Sequence, residues 1–262
     1  MRFSLTLQPI GPDRVLPINY QYPLSAWFYR VLDRSDAGFA QWLHDEGYRF
    51  EGRRFRFFCF GDLDLRPFRR EGDRLRLLGR EVRLLVSFAL PQGAQHFLQG
   101  MFAEQVLWLG DRRSGVDFQI DRVETLPEPT FLARQLRLRT ASPVVVSRPN
   151  DRGHADYLPP DDPEYAERLY LNLTSKLQAY AAVEGKQTAS FLPHARDVFD
   201  VELLSEPRSR LVTVAAGTPR QTQVRGYHYE FDLICDPTWQ KVVWDAGLGE
   251  KNSQGFGLVY AQ

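Results

Sequence analysis

The segment Val82-Arg-Leu-Leu-Val-Ser-Phe88 has an apolar residue at every second position, counted from Val82. This alternation is typical of a β-strand that buries one face. Pro91 ends the strand, and the apolar residues that follow it recur at helical spacing. They predict a helix from about 92 to 109, and a strand is predicted near 116 to 123. The stretch therefore forms the second half of a module that mixes helices and strands.

The residues before this strand supply the first half of the same module. Alternation at Phe3, Leu5 and Leu7 predicts a strand over 2 to 7. Apolar spacing and helix-ending signals predict two helices, about 24 to 32 and 35 to 47, and further strands are predicted over 53 to 60 and within 74 to 90. With one extra hairpin set aside, the order is β-α-β-β-α-β, which is the ferredoxin-like pattern.

The second half of the chain repeats this order after Pro127 and Pro129. The segment 150 to 163 is predicted to be a loop because it is rich in Asp, Gly and Pro. The other predicted elements are strands near 130–139, 143–148, 197–204, 209–216, 222–234 and 256–260, and helices near 163–183 and 237–246. We therefore expect an α+β fold of two tandem ferredoxin-like modules, residues 1–126 and 127–262, with antiparallel sheets and a cleft between them.

The charge of the chain excludes a uniformly basic surface, because 33 Lys and Arg residues balance 33 Asp and Glu residues. The basic residues are nearly all Arg, whose planar guanidinium suits phosphate and base stacking. Eleven Arg fall in the segment 49–83 against six acidic residues. This segment is either a solvated face or a strip that faces phosphate.

The cysteine and hydropathy patterns bound the class of protein. Cys59 and Cys235 lie far apart, and no Cys and His cluster has metal-ligand spacing. We therefore expect no disulfide, no metal and no cofactor. The amino terminus lacks a signal-peptide pattern and no run of about 18 apolar residues occurs, so we expect a cytoplasmic protein with no membrane partner.

Histidine is a candidate for acid–base chemistry. His44 falls at the end of the second predicted helix, where it should be partly exposed, although capping or a surface role is the plain alternative. His96 and His228 are expected to pack or to lie at the surface, and His154 and His194 are expected in loops. No GxSxG or cysteine-centred signature supports nucleophilic catalysis by Ser or Cys.

The segment Gly247-Leu-Gly-Glu-Lys-Asn-Ser-Gln-Gly-Phe-Gly257, here called the glycine loop, connects a predicted helix to a predicted strand. Missing Cβ atoms let backbone N–H groups turn toward an anion or let the loop pack closely on a partner. It is not a nucleotide-binding P-loop, because the GxxxxGK[ST] order is absent. Taken alone, it is compatible with a tight connection that buries Phe256.

The glycine loop closely resembles the carboxy-terminal glycine-rich signature of the CRISPR-associated endoribonucleases that cut precursor CRISPR RNA within its repeats, a family of the RAMP superfamily. Other segments resemble this family in matching order: Met1 to Leu7, Leu16 to Tyr29, Trp42 to Tyr48, and Ser142 to Val146. The resemblance spans nearly the whole chain. Its implied architecture, a tandem ferredoxin-like pair, agrees with the element order above.

The resemblance implies sequence-specific, metal-independent RNA cleavage, in which a ribose 2′-OH attacks the adjacent phosphate and leaves a 2′,3′-cyclic phosphate and a 5′-OH. It implies three catalytic residues: His44, Tyr29 and, where the family has a lysine, Arg56, with Arg54 as the second choice. Arginine can stabilise negative charge but cannot shuttle a proton, so His44 and Tyr29 would divide the acid–base work.

The resemblance also implies a partner, the CRISPR repeat in precursor RNA, and leaves homodimerisation open. Two alternatives to cleavage remain, a scaffold that binds the repeat without cutting it and a subunit of a larger interference complex. The residues implied to contact RNA are Arg53, Arg54, Gly247, Gly249, Lys251, Asn252, Ser253, Gly255 and Gly257.

Overall fold

The computed structural model describes residues 1–151, 153–185 and 199–261. His194 and the start of the strand predicted near 197 lie outside these residues. Three helices occur in the first half: α1 (Gln21–Ser35), α2 (Ala37–Asp45) and α3 (Pro91–Ala103). Its strands are β1 (Arg2–Ile10), β2 (Val15–Pro17), β3 (Tyr48–Phe50), β4 (Arg53–Phe55), β5 (Phe58–Phe60), β6 (Phe68–Glu71), β7 (Arg74–Leu77), β8 (Val82–Phe88), β9 (Val106–Gly110) and β10 (Gly115–Thr125).

The first sheet has the order β5-β8-β1-β10-β9, and all neighbouring strands are antiparallel. Phe3 in the central strand β1 lies opposite Val86 on one side and Thr125 on the other. Helices α1 and α3 pack on one face of this sheet, where Phe28 and Phe97 stack with ring centroids 5.2 Å apart. The alternating apolar residues of β1 and β8 are fully buried under them, as their spacing predicts.

In the described part of the second half there are two α-helices, α4 (Tyr165–Val183) and α5 (Pro237–Ala246). Its main sheet has four strands in the order β14-β17-β11-β18, and a β15-β16 hairpin is inserted in the chain between β14 and β17. The strands are β11 (Gln135–Thr140), β12 (Ser147–Pro149), β13 (Ala155–Tyr157), β14 (Asp200–Leu203), β15 (Arg208–Val214), β16 (Thr222–His228), β17 (Glu230–Ile234) and β18 (Val259–Ala261).

Each half thus has its central strands in the spatial order second, third, first, fourth, which is the ferredoxin-like order, and the expected pair of such modules is confirmed. The division at residues 126 and 127 stays a prediction. No helix in the described parts of the chain combines the length and the apolar character needed to cross a membrane.

Four local predictions were wrong, and one of them is the strand expected over 222–234, which is divided into β16 and β17 in two different sheets. The helix expected to reach residue 109 ends at Ala103, because Leu107 and Leu109 alternate with exposed residues and β9 pairs with β10. The segment 150–163, expected to be a loop, contains β13, which forms a hairpin with β12. The strand expected over 53–60 is broken at Phe57, whose φ is 53°.

The break at Phe57 separates two strands with different partners. Strand β4 pairs with β3, whereas β5 pairs with β8 in the first sheet. Phe58 and Phe60 pack in the core of the first module, whereas Phe57 packs among residues of the second. The hairpin β3–β4 also packs on α4.

The two modules share a polar, buried interface. The Arg2 guanidinium is 3.5 Å from the centroid of the Trp244 ring, and its Nη1 donates to the Val259 carbonyl at 2.5 Å. Ser87 Oγ donates to the Asp245 carbonyl at 2.9 Å. In the opposite direction, Ser142 Oγ of the second module donates to the Phe60 carbonyl of the first at 3.1 Å. These bonds fix the walls of the cleft relative to each other.

Candidate active site

A cleft of about 800 Å³ lies where the two modules meet. One wall is formed by α1 and the end of α2, and the other by α4 and the glycine loop. The hairpin β3–β4 and the residue after it, here called the arginine hairpin (residues 48–56), complete the lining. The predicted site residues that line this cleft are Tyr29, His44, Arg53, Arg54, Arg56, Gly249, Lys251, Asn252 and Ser253.

His44 stands in the last turn of α2, as its position before Gly47 predicts. Asp36 caps the start of this helix, since its carboxylate accepts from the Phe39 N–H at 2.8 Å. Gly47, with φ at 61°, ends it. The His44 side chain is 66% exposed, and its Nδ1 lies 2.8 Å from the Asp45 carboxylate. The hydrogen bond with His44 lowers the pKa of Asp45. Nδ1 is therefore engaged, and Nε2 is the nitrogen that can meet a ligand.

Tyr29 lies on α1, beside His44. The two ring centroids are 5.0 Å apart and the ring planes are nearly perpendicular, at 82°. Burial raises the pKa of Tyr29, and the charge of Arg56 together with hydrogen bonds from Ser253 and Arg56 opposes this only in part. The phenol therefore keeps its proton at neutral pH and can donate it.

Arg56 reaches both of these residues. Its Nη2 donates to the His44 carbonyl at 2.5 Å, and its charge acts on the Tyr29 hydroxyl. Gly47 allows this approach, because a Cβ at residue 47 would lie 2.6 Å from the Phe55 carbonyl oxygen. The structure thus brings the three residues expected to be catalytic into one group with a phenol, an imidazole and a fixed cation.

The Arg-rich segment 49–83 divides into two surfaces. Arg53 and Arg54 line the cleft with Arg56, and Arg54 Nη1 donates to the Asp45 carbonyl at 2.7 Å. Further along, exposed arginines pair with nearby acids: Arg66 with Asp64 at 2.7 Å and Arg76 with Glu71 at 2.7 Å. The arginine hairpin can therefore face phosphate, whereas these later residues form a solvated face.

The glycine loop packs between the modules, which was the plain alternative for its glycines. A Cβ at Gly255 would lie 2.5 Å from the Phe60 ring, and one at Gly249 would lie 2.4 Å from the Val145 carbonyl oxygen. Gly247, Gly255 and Gly257 do not line the cleft, so their expected contact with RNA has no support from the cleft geometry. The middle of the loop does line it, and Ser25 Oγ on α1 donates to the Ser253 carbonyl at 2.8 Å.

Lys176 is a residue of this region that the sequence reasoning missed. It is buried in α4, and its Nζ donates to the carbonyls of Gly247 and Gly249 and to Asn252 Oδ1, at 2.7, 3.0 and 2.9 Å. A signal was available, because Lys176 follows Leu169 by seven residues and Leu173 by three, on the apolar face of the helix. A charge on such a face is rarely without a specific partner.

The other described histidines have local roles or lie elsewhere. His96 stacks on Phe39, with ring centroids 4.6 Å apart, and His228 Nε2 lies 3.2 Å from the Asp62 carboxylate. His154 is exposed in the turn between β12 and β13. Within residues 1–151, 153–185 and 199–261, no group of three or more His, Cys, Asp or Glu side chains is placed to hold a metal ion.

Comparisons with known proteins agree with this architecture. The family model described as CRISPR associated protein Cas6, C-terminal, matches residues 126–261. A protein of Methanocaldococcus jannaschii named CRISPR-associated endoribonuclease Cas6 1 is 26% identical over 99% of this chain and 92% of its own length. CRISPR-associated endoribonuclease Cas6 of Pyrococcus furiosus is also 26% identical, over 99% of this chain and 89% of its own length.

Solved structures show the same fold. A Cas6-related protein from Pyrococcus furiosus superposes with a TM-score of 0.81 at 22% identity, over 100% of this chain and 98% of its own. A structure described as an RAMP protein binding different RNA substrates has a TM-score of 0.80 at 20% identity, over 100% of this chain and 99% of its own. The family model matches more than half of the residues, and this match shows that the chain belongs to the Cas6 family of CRISPR-associated proteins.

Proposed function

We propose that this protein is an endoribonuclease that cuts precursor CRISPR RNA within its repeats, without a metal ion, by attack of a ribose 2′-OH on the adjacent phosphate. The observation that carries the proposal is the convergence of Tyr29, His44 and Arg56 at one cleft. The curated relatives named as endoribonucleases support the reaction class.

The proposed roles follow from the chemistry of the three side chains and their places in the cleft. His44 Nε2 takes the 2′-OH proton as the new O2′–P bond forms. Tyr29, which is protonated at neutral pH, gives its proton to the 5′-oxygen as the P–O5′ bond breaks. Return of a proton from His44 to Tyr29 through solvent restores both groups. Arg56 stabilises the charge that develops on the phosphorane. The products are a 2′,3′-cyclic phosphate and a 5′-OH.

The flanking cations would hold the RNA backbone. Arg53 and Arg54 stand beside Arg56 on the arginine hairpin, and Lys251 stands across the cleft on the glycine loop. Phosphate contacts of this kind fix the register of a strand but do not read its bases. We propose that these side chains position the scissile phosphate between His44 and Tyr29.

The test is cleavage of the host's own CRISPR repeat RNA in the presence of EDTA. The wild-type protein should cut at one position, and His44→Ala should cut at least about 100-fold more slowly. A substrate with a single 2′-deoxy nucleotide upstream of the cut should bind without reacting. His154→Ala is the matched control, because His154 is exposed and does not line the cleft, and it should cut at the wild-type rate.

The other outcomes select among the alternatives. A repeat that is bound but stays intact under these conditions would support the non-cleaving scaffold. Absence of affinity for the repeat, with co-purification of other proteins, would support a subunit of an interference complex. Normal cleavage by His44→Ala would leave the reaction class standing and refute the proposed active site.

A further inference from the structure

Lys176 is buried where a lysine is costly. Only 2% of its surface is exposed, and burial lowers its pKa to about 7. Among the described residues it forms no ion pair, since its hydrogen bonds all go to neutral oxygens of the glycine loop. An apolar residue of similar volume would fill the site without this desolvation penalty. Stability of the core therefore does not explain the choice of residue.

The hydrogen bonds of Lys176 converge on the part of the loop that faces the cleft. Protonated lysine has three N–H donors, and the loop offers three acceptors. One acceptor is Asn252 Oδ1, whose orientation is fixed by the same contact. The Asn252 amide Nδ2 then donates to the carbonyls of Leu248 and Phe256, both at 3.1 Å, and closes the loop on itself.

The glycine loop contacts the helix that carries Tyr29. Ser253 follows Asn252 directly, its carbonyl accepts from Ser25 Oγ on α1 at 2.8 Å, and its side chain interacts with the Tyr29 hydroxyl one turn further along that helix. Lys251 precedes Asn252 in a left-handed conformation, with φ at 57°. A connected path therefore runs from Lys176 in the second module, through its hydrogen bond to Asn252 and the peptide bond to Ser253, to the helix α1 that carries Ser25 and Tyr29 in the first.

We propose that Lys176 is a positioning residue for RNA cleavage: it holds the glycine loop so that Ser253 orients the Tyr29 hydroxyl and Lys251 faces the RNA backbone, without itself touching RNA. This inference rests on the proposed function, because it assigns Lys176 a part in the same reaction. Small displacements of a catalytic group cost large factors in rate, so a second layer of fixed contacts has a direct catalytic effect.

The experiment is single-turnover cleavage of the repeat RNA by Lys176→Met, which keeps the volume of the side chain and removes its donors. We expect the rate constant to fall between about 10- and 100-fold, while the fraction of RNA finally cut stays at the wild-type level. A purely structural role would lower the active fraction and leave the rate constant unchanged. Lys176→Gln, which keeps two N–H donors, should fall between the wild type and Lys176→Met, and it decides the matter if the methionine variant does not fold.

A double-mutant cycle tests the route from Lys176 to Tyr29. If Lys176 acts through Ser253, the variant carrying both Lys176→Met and Ser253→Ala should be within about threefold of the slower single variant. Multiplication of the two effects would overturn the proposal, as would a wild-type rate constant in Lys176→Met. If the wild-type protein does not cut the repeat at all, this proposal and the proposed function are both refuted. If the wild type cuts the repeat but the variants do not show the expected effects, only the role of Lys176 is refuted.

Discussion

Arg56 and Arg54 are two residues apart on the arginine hairpin, but their guanidinium groups have different neighbours. Arg56 donates to the His44 carbonyl and its charge acts on the Tyr29 hydroxyl, whereas Arg54 donates to the Asp45 carbonyl. We therefore expect Arg56→Ala to lower the cleavage rate constant by roughly 100- to 1000-fold, the cost of losing one group that stabilises a developing oxyanion. Single-turnover kinetics at saturating protein measures this rate constant.

Arg54→Ala provides the contrast within the same hairpin. It should weaken binding of the uncleavable 2′-deoxy repeat and reduce the salt dependence of that binding by about one phosphate contact, with the rate constant within a few fold of wild type. Arg69→Ala, on the exposed strand β6 outside the cleft, should change neither quantity. If Arg54→Ala slows the bound complex more than Arg56→Ala does, the two arginines have been assigned the wrong way round.

Single residues can be predicted from the sequence only where a position or a motif marks them. The place of His44 at a helix end makes it a candidate, the family resemblance adds Tyr29 and Arg56, and the structure places the three together. Lys176 could not be nominated in the same way, because its role depends on carbonyl groups more than 70 residues further along the chain. Helical periodicity shows that a lysine is on a buried face, but it does not show what accepts its hydrogen bonds.

At the scale of elements, the turn from α2 into the arginine hairpin sets the distance between His44 and Arg56. Gly47 has φ at 61°, and a Cβ there would lie 2.6 Å from the Phe55 carbonyl oxygen and 3.0 Å from the Arg56 side chain. Gly47→Ala should therefore destabilise the fold by about 1 kcal/mol or more, from the backbone conformation and the clash together. It should also slow cleavage, because the hairpin must move away from His44.

Gly38→Ala is the matched control, because Gly38 lies in α2, the helix that ends just before Gly47. A Cβ at residue 38 would meet only the Asp36 carboxylate, at an ordinary distance of 3.4 Å. It should leave the cleavage rate unchanged and stabilise the helix by up to about 1 kcal/mol. Thermal denaturation and single-turnover cleavage of both variants measure these effects. Equal behaviour of the two variants would show that the left-handed turn does not hold the site together.

Apolar periodicity predicted the helices and strands whose two faces differ in polarity, and it failed where a strand follows a helix almost directly. Strands β1 and β8 and helix α5 lie where the apolar spacing places them. The helix predicted to 109 was wrong because the pattern of α3 runs directly into that of β9, with only Glu104 and Gln105 between them. Short apolar segments fit both periods, and pairing with β10 decides for the strand.

At the scale of the whole molecule, Lys176 should make the free energy of unfolding depend on pH. Its pKa is about 7 in the folded protein, and an unfolded lysine titrates near 10.4. Between these values the unfolded chain binds one more proton than the folded chain, so stability rises with pH. Below about pH 7 Lys176 is protonated in both states, so it no longer makes the free energy of unfolding depend on pH.

Urea denaturation from pH 6 to pH 9 measures the effect. Above pH 7 the wild type should gain up to about 1.4 kcal/mol per pH unit relative to Lys176→Met. Lys241→Met is the control: burial opposes protonation of Lys241, but hydrogen bonds with Asp245 and Glu128 raise its pKa overall, so its removal should leave the slope between pH 7 and pH 9 intact. Parallel curves for the wild type and Lys176→Met would contradict the prediction.

The repeated element order made the two-module architecture predictable, but the interface between the modules was not. Arg2 belongs to a strand whose alternation marks only Phe3, Leu5 and Leu7 as buried, and yet Arg2 is buried against Trp244 and Val259 of the other module. Local periodicity does not show that a second module covers a sheet face, because the residues that contact and hydrogen-bond with that face are distant in the chain.

The packing of Phe57 has a consequence for the order in which parts of the protein become fixed. Its side chain is held among residues of the second module, immediately beyond the arginine hairpin. During synthesis the amino-terminal module emerges first and can fold as a unit, but the anchor for Phe57 does not yet exist. Phe57 therefore gains its apolar neighbours of the second module only after the carboxy-terminal half has folded, so the segment that joins the arginine hairpin to the first sheet is fixed late in synthesis.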